Sequence, residues 1–172
     1  MNRSKVDTLK YLSLPNPMKQ YFSELLDYEE WANQRVTEAF LQVENPPERA
    51  AQLLSHVLAA QQIWHARLTR QPAQLKVWET VATAQLLALL AENSTHLRTF
   101  VAGLADNDGF DAAVTYTNSK GETFTSTVRQ ILTQLQLHAA YHRGQIVQLL
   151  KPFLGEALNT DYIFYARGSV KS

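Results

Sequence analysis

An all-α fold, a four-helix bundle with a short β-hairpin between its third and fourth helices, is what this sequence predicts. Three observations carry that expectation. Four stretches repeat apolar residues at spacings of three and four, the period of one helix face. Proline and glycine punctuate the gaps between them. The gap before the last helix is rich in β-branched and aromatic residues. Four long amphipathic helices joined by modest loops can bury their apolar stripes against one another.

The first seventeen residues mix Arg3, Lys5, Asp7 and Lys10 with too short an apolar run for a signal peptide, and they end in Leu14-Pro15-Asn16-Pro17. They read as a loosely attached N-terminal extension, residues 1–17, before a bundle domain over 18–168. From Met18 to about Gln42, Tyr21, Leu25, Tyr28, Trp31, Ala32, Val36 and Phe40 mark the first helix. Pro46 and Pro47 break it and open a second, roughly 47–70, carrying Leu53, Leu54, Val57, Leu58, Ile63, Trp64 and Leu68 before Pro72. Leu86, Leu87, Leu90, Leu97, Phe100 and Val101 place a third helix over Thr83–Leu104, with Gly103 near its stop.

Between Asp111 and Thr125, the arms Val114–Thr117 and Glu122–Phe124 flank Asn118-Ser119-Lys120-Gly121, the pattern of a hairpin. The fourth helix spans about Ser126 to Pro152 on Val128, Ile131, Leu132, Leu135, Ile146, Leu149 and Leu150, with Ser126 as a candidate cap. The aromatic tail Tyr162-Ile163-Phe164-Tyr165 is expected to lie across the bundle.

Composition bounds the function. A chain of 172 residues with 45% hydrophobic content can bury one sizeable core unaided. Sixteen basic residues balance sixteen acidic ones, so no global field draws in nucleic acid or an anionic membrane. The chain has no cysteine, which excludes thiolate ligands and a cysteine nucleophile and leaves His, Asp and Glu to hold any metal. No apolar run approaches the ~20 residues that span a bilayer, and the cytoplasm is the expected setting.

His138 and His142 stand four residues apart on the fourth helix, so they share a face about one turn, ~5.4 Å, apart. The pair alone is a weak signal, because the same spacing arises on solvated faces. Leu135, Ile146 and Leu149 flank it, which directs both rings towards the core, where an unpartnered polar group costs roughly 1–3 kcal/mol. A metal or a hydrogen-bonded network would satisfy them. His56, within Leu53-Leu54-Ser55-His56-Val57-Leu58, is a third candidate, although a lone histidine there also suits a hydrogen-bonded core. His65 falls half a revolution from His56 and is left, with His96, on the surface.

The run His138-Ala139-Ala140-Tyr141-His142-Arg143-Gly144-Gln145-Ile146, with Leu149-Leu150 behind it and Asp161-Tyr162-Ile163-Phe164-Tyr165 to close, resembles the signature of the DinB-like (YfiT-type) family. Tyr28, Trp31-Ala32-Asn33 and Arg35, then Leu54, His56, Trp64 and Arg67, extend the resemblance over Met18 to about Tyr165. It implies a four-helix bundle, usually a homodimer, with His56, His138 and His142 holding one divalent transition metal: nickel, zinc, manganese or iron. It also implies kinship with thiol-dependent transferases that use bacillithiol or mycothiol. Gln61 stands where a glutamate is frequent in the family.

Three neutral imidazoles leave the ion its double charge and an open position, the arrangement of catalytic zinc, able to lower the pKa of bound water towards ~7. The expected chemistry is hydrolysis or thiol-linked group transfer on a small molecule. No carboxylate lies between His138 and His142, so a base must come from Tyr141, Glu29, Glu30 or the substrate. Gln134 and Gln145 are candidate partners for the ligands' free ring N–H groups, unless solvent takes them. Arg143 and Arg67 are candidates to steer an anion, though Arg67, ~16 Å along the helix from His56, suits a surface carboxylate better. Tyr28, Trp31 and Trp64 read as core. The alternatives are a non-catalytic metal-binding bundle in stress response and a metal-free bundle with hydrogen-bonded histidines.

Overall fold

The computed structural model describes residues 16–169. The reading of the N-terminal extension thus falls outside the described residues, apart from its last two. Asn16 caps the first helix: its side-chain oxygen accepts the amides of Met18 at 2.9 Å and Lys19 at 3.3 Å. Pro17 takes the first helical position, where no amide is missed. Helix α1 then runs Pro17–Leu41. Helix α2, Glu48–Thr69, follows Pro47 and stops where Arg70 turns into the left-handed region at φ 58°. A 3₁₀ turn at Thr83–Gln85 leads into α3, Leu86–Gly103.

A short helix that the sequence reading lacks, α4, occupies Asp106–Asp111. Its Phe110 is buried and stacks on Phe22, with ring centroids 5.5 Å apart. Strands β1, Ala113–Thr117, and β2, Thr123–Thr127, pair antiparallel from Ala113 opposite Thr127 to Thr117 opposite Thr123. The first arm falls where expected to within one residue, while the second runs on to Thr127 rather than ending at Phe124. Ser126 is consequently held in the ladder, and Thr127 caps α5, Val128–Leu150, in its place. The Thr127 hydroxyl accepts the Gln130 amide at 3.3 Å, while the Gln130 side chain accepts the Thr127 amide at 2.8 Å.

The aromatic tail forms α6, Tyr162–Ser169, and packs on α1. Tyr28 meets Tyr162 and Tyr165 at 5.2 and 5.8 Å between ring centroids, and Trp31 meets Tyr165 at 5.6 Å. The fold is therefore an all-α bundle of four long helices with one small hairpin. Its most extensive seams join α2 to α5 and α1 to α3. Among the described residues, no helix is long and apolar enough to cross a membrane.

Two apolar clusters make the core. One gathers Phe22, Leu26, Leu97, Val101, Ile131, Leu132 and Leu135; the other gathers Val36, Phe40, Leu54, Leu58, Leu90, Ile146 and Leu150. On every long helix, buried polar residues fall between the stretches that feed the two clusters: Glu29 and Asn33 on α1, Gln61 on α2, Asn93 on α3, Gln136 and Arg143 on α5. Together they form a polar belt through the bundle. Buried polar groups need partners, and the belt supplies most of them, leaving Asn33 Nδ2, Gln136 Oε1 and Arg143 Nε without one. Gln61 and Gln136 donate to the two oxygens of Glu29 at 2.9 and 2.5 Å, and Arg143 donates to Asn33 at 3.0 Å and to the Tyr28 hydroxyl at 3.1 Å.

Candidate metal centre

Along α5 the core face is Leu135, Gln136, Ala139, Arg143, Ile146 and Leu150, all buried. At ~100° per residue His138 and His142 form the neighbouring stripe, which faces α2. Both are half-buried, so the expectation that they point into the core is corrected: they sit in the α2–α5 seam with one side towards solvent. His56 reaches the same seam from α2 and is only 6% exposed. The seam brings one ligand nitrogen of each of the three histidines within 4.8 Å of the others.

The geometry also fixes which nitrogens are available. His56 Nδ1 lies 2.7 Å from the Val77 carbonyl, which can only accept, so Nδ1 carries the proton and Nε2 keeps its lone pair. His56 Nε2 in turn lies 3.0 Å from His138 Nε2. His142 Nδ1 is 3.4 Å from Gln145 Oε1, an arrangement that leaves its Nε2 free as well. Ligands about 2.0–2.1 Å from a tetrahedral ion stand about 3.3 Å from each other. The 3.0 Å pair is already near that spacing, and small rotations of half-buried rings close the wider ones. An all-imidazole donor set of this kind fits a divalent transition metal.

Electrostatics favour the neutral form of His138 and His142, the form that binds metal. Burial, followed by the charges of His142 and His56, lowers the His138 pKa from 6.5 to about 4. That of His142 is lowered too, chiefly by burial, against an opposing hydrogen bond to Gln145 and with added repulsion from His56 and Arg49.

Around the mouth stand Trp78 and Arg49, which the sequence reading passed over, and Tyr141, which it named. Trp78 lies flat on His56, with centroids 3.9 Å apart and planes within 9°, and is itself 56% exposed. The guanidinium of Arg49 sits 5.3 Å from the Trp78 ring centre. Tyr141, 67% exposed, meets His142 edge-on at 5.0 Å. Beside the centre, Arg49, Leu53, Tyr141, Gln145 and Leu149 line an open groove of about 480 Å³ to which no carboxylate and none of the three histidines contributes.

The DinB family model matches residues 18–169. The chain belongs to the DinB family. No curated protein and no solved structure matches it significantly. Read onto this DinB-family bundle, the other sequence candidates separate. Gln145 is beside His142 as one of the expected partners, whereas Gln134 is exposed near Trp64 and Tyr116 and hydrogen-bonds to no histidine. Glu29 is locked in the belt, and Glu30 pairs with Arg98 on α3, so Tyr141 alone of the named proton carriers is at the mouth. Gln61 serves the belt by bonding to Glu29.

Arg143 cannot steer a substrate, since it is 1% exposed and bound to Asn33 and Tyr28. Arg67, in place of a surface carboxylate, finds the Thr117 carbonyl at 3.3 Å and the rings of Trp64 and Tyr116. Tyr28 is buried as core, and Trp31 and Trp64 are half-buried among aromatic neighbours. His96 is exposed as expected, but His65 is half-buried against it. Trp78 and Val77 lie in an irregular loop after α2, where periodicity carries no signal. Arg49 shares the His56 side of α2 two turns earlier, and that spacing could have flagged it.

Proposed function

We propose that this DinB-family chain binds one divalent transition metal through Nε2 of His56, His138 and His142. In this reading it is a cytoplasmic metal-dependent hydrolase or thiol-dependent transferase acting on a small molecule with an anionic group. The observation behind the reading is the convergence of three imidazole nitrogens, two with their protons directed elsewhere, at a mouth open to solvent. Three protein ligands leave a coordination position for substrate, whereas a structural centre closes all four.

The bound ion would supply Lewis acidity towards a carbonyl or a thiol. The side chains do the rest. Val77 and Gln145 hold two of the rings in the ligating tautomer. Trp78 covers one face of the His56 ring. Arg49, the cation of the groove, takes the anionic end of the substrate. The Tyr141 hydroxyl is the group placed to hold or pass a proton.

Elemental analysis of protein prepared without a histidine tag tests the centre. About one equivalent of nickel, zinc, manganese or iron per chain, lost in His138→Ala, is expected. A folded protein that takes up none of these ions on titration overturns the proposal. Once a turnover assay exists, Arg49→Gln should raise KM for an anionic substrate about tenfold, ~1.4 kcal/mol, with kcat little changed. An unchanged KM would remove Arg49 from the substrate site.

A second reading rests on the placement of the ligands on the two helices that share the most extensive seam. There the ion only ties α2 to α5, in a stress-response protein without turnover. Its mark would be a large fall in melting temperature on chelation with no activity to lose. The homodimer implied by the family resemblance belongs to the same proposal. Tyr162, Ile163 and Phe164 on α6, each about half exposed, offer it an apolar surface; a monomer mass in light scattering would rule it out.

A further inference from the structure

The chain has five histidines, and the centre above uses three. The other two also meet. His65 on α2 and His96 on α3 face each other across the α2–α3 seam, with ring centroids 5.0 Å apart and planes within 14°. Nine positions separate His65 from His56, so it projects from the opposite side of α2. The two rings line a cavity of about 160 Å³ together with Glu92, Gln62 and Gln71. Glu92 precedes His96 by four residues, which puts both on one face of α3.

Three features distinguish this cluster from an ordinary surface pair. No ring nitrogen of His65 or His96 has a hydrogen-bond partner among the described residues, in contrast to the tied Nδ1 of His56. The Glu92 carboxylate likewise makes no hydrogen bond or ion pair among the described residues, although exposed carboxylates on neighbouring stretches pair readily, as Glu30 and Asp27 do with Arg98. Finally, the two imidazoles come from different helices, so a shared ligand would bridge elements already packed together.

We propose that His65 and His96, completed by Glu92, form a second divalent-metal site that clasps α2 to α3. Its donor set, two imidazoles and a carboxylate, suits zinc or copper rather than calcium or magnesium. The stacked rings must turn edge-on to bring their nitrogens to a common ion, and Glu92 must swing in by side-chain rotation. Exposed His96 and Glu92 have the freedom to do so. That reorganisation makes this site weaker than the three-histidine centre.

Zinc titration of the full-length chain by calorimetry near neutral pH tests the site in four variants. Wild type should take up two equivalents and His96→Ala one. The variant His138→Ala with His142→Ala should retain one equivalent, and adding His96→Ala should abolish it. Glu92→Gln in the His138→Ala, His142→Ala background should weaken that binding about tenfold without removing it, and zinc should raise the melting temperature of that background only while His96 is present. Uptake that is unchanged by His96→Ala in both backgrounds would overturn the site, as would no uptake by folded His138→Ala, His142→Ala protein. The result separates the two centres: if the three-histidine site fails to bind, wild type still takes up one equivalent, and His96→Ala removes it.

Discussion

At His138, burial and two neighbouring imidazoles act in the same direction, against protonation. Its pKa falls to about 4 in the folded chain, while in the unfolded chain it titrates near 6.5. Between those values the unfolded chain holds more protons, so the stability contributed above pH 6.5 is lost as the pH falls towards 4. Metal-free wild type should therefore lose stability to urea more steeply over that window than His138→Ala. Equal slopes would show the ring to be solvated. His138 and His142 could be read from spacing and apolar context, because a turn of helix converts a four-residue interval into a shared face, whereas His56 joined them only through the family resemblance, its apolar run suiting a core histidine as well. Their partners could not. Val77 offers a backbone carbonyl, which any residue has, and Trp78 comes from a loop whose path is set only by packing. Arg143 was misassigned because an arginine beside a ligand in sequence points ~100° away from it in a helix, here into the belt.

The elements follow local rules closely. The long helices begin and end within a few residues of their sequence signals, since Asn16, the Pro46–Pro47 pair and the αL residue Arg70 act on the backbone directly. The start of α5 shows where such rules compete. Ser126 and Thr127 are both good caps, and the choice falls to Thr127 because the hairpin ladder extends to its pairing with Ala113. Thr127→Ala should cost about 1 kcal/mol by removing the acceptor for the Gln130 amide. Ser126→Ala, which gives up only a 3.3 Å contact with the Tyr116 hydroxyl, should cost less. Chemical denaturation of the two variants settles the assignment, and a larger loss from Ser126→Ala would reverse it. Helix α4 escaped notice because six residues, including Gly109, are too few to show a helical period. Only the burial of Phe110 against Phe22 reveals why the chain turns there.

At the scale of the molecule, the polar belt joins all four long helices at one level. Each helix contributes only one or two of its residues, so no single stretch of sequence announces it, and a reading by periodicity assigns such residues to the surface. Its central charge is Arg143, whose field opposes the upward pull of burial on the Glu29 pKa, as do the hydrogen bonds from Gln61 and Gln136. Burial still raises the Glu29 pKa, and Arg143 makes no salt bridge with it among the described residues, acting on it only through its field. Arg143→Met should destabilise the bundle by about 2–4 kcal/mol, chiefly by leaving Asn33 and Tyr28 without their charged donor. Adding Glu29→Gln should return part of that loss, because a neutral amide no longer needs the guanidinium; a coupling of about 1–3 kcal/mol in the double-mutant cycle is expected. Two independent, additive losses would mean that the belt is a set of separate contacts. A coupled pair would instead mean that one charge network sets how the four helices meet, and with it the separation of α2 and α5 on which the convergence of His56, His138 and His142 depends.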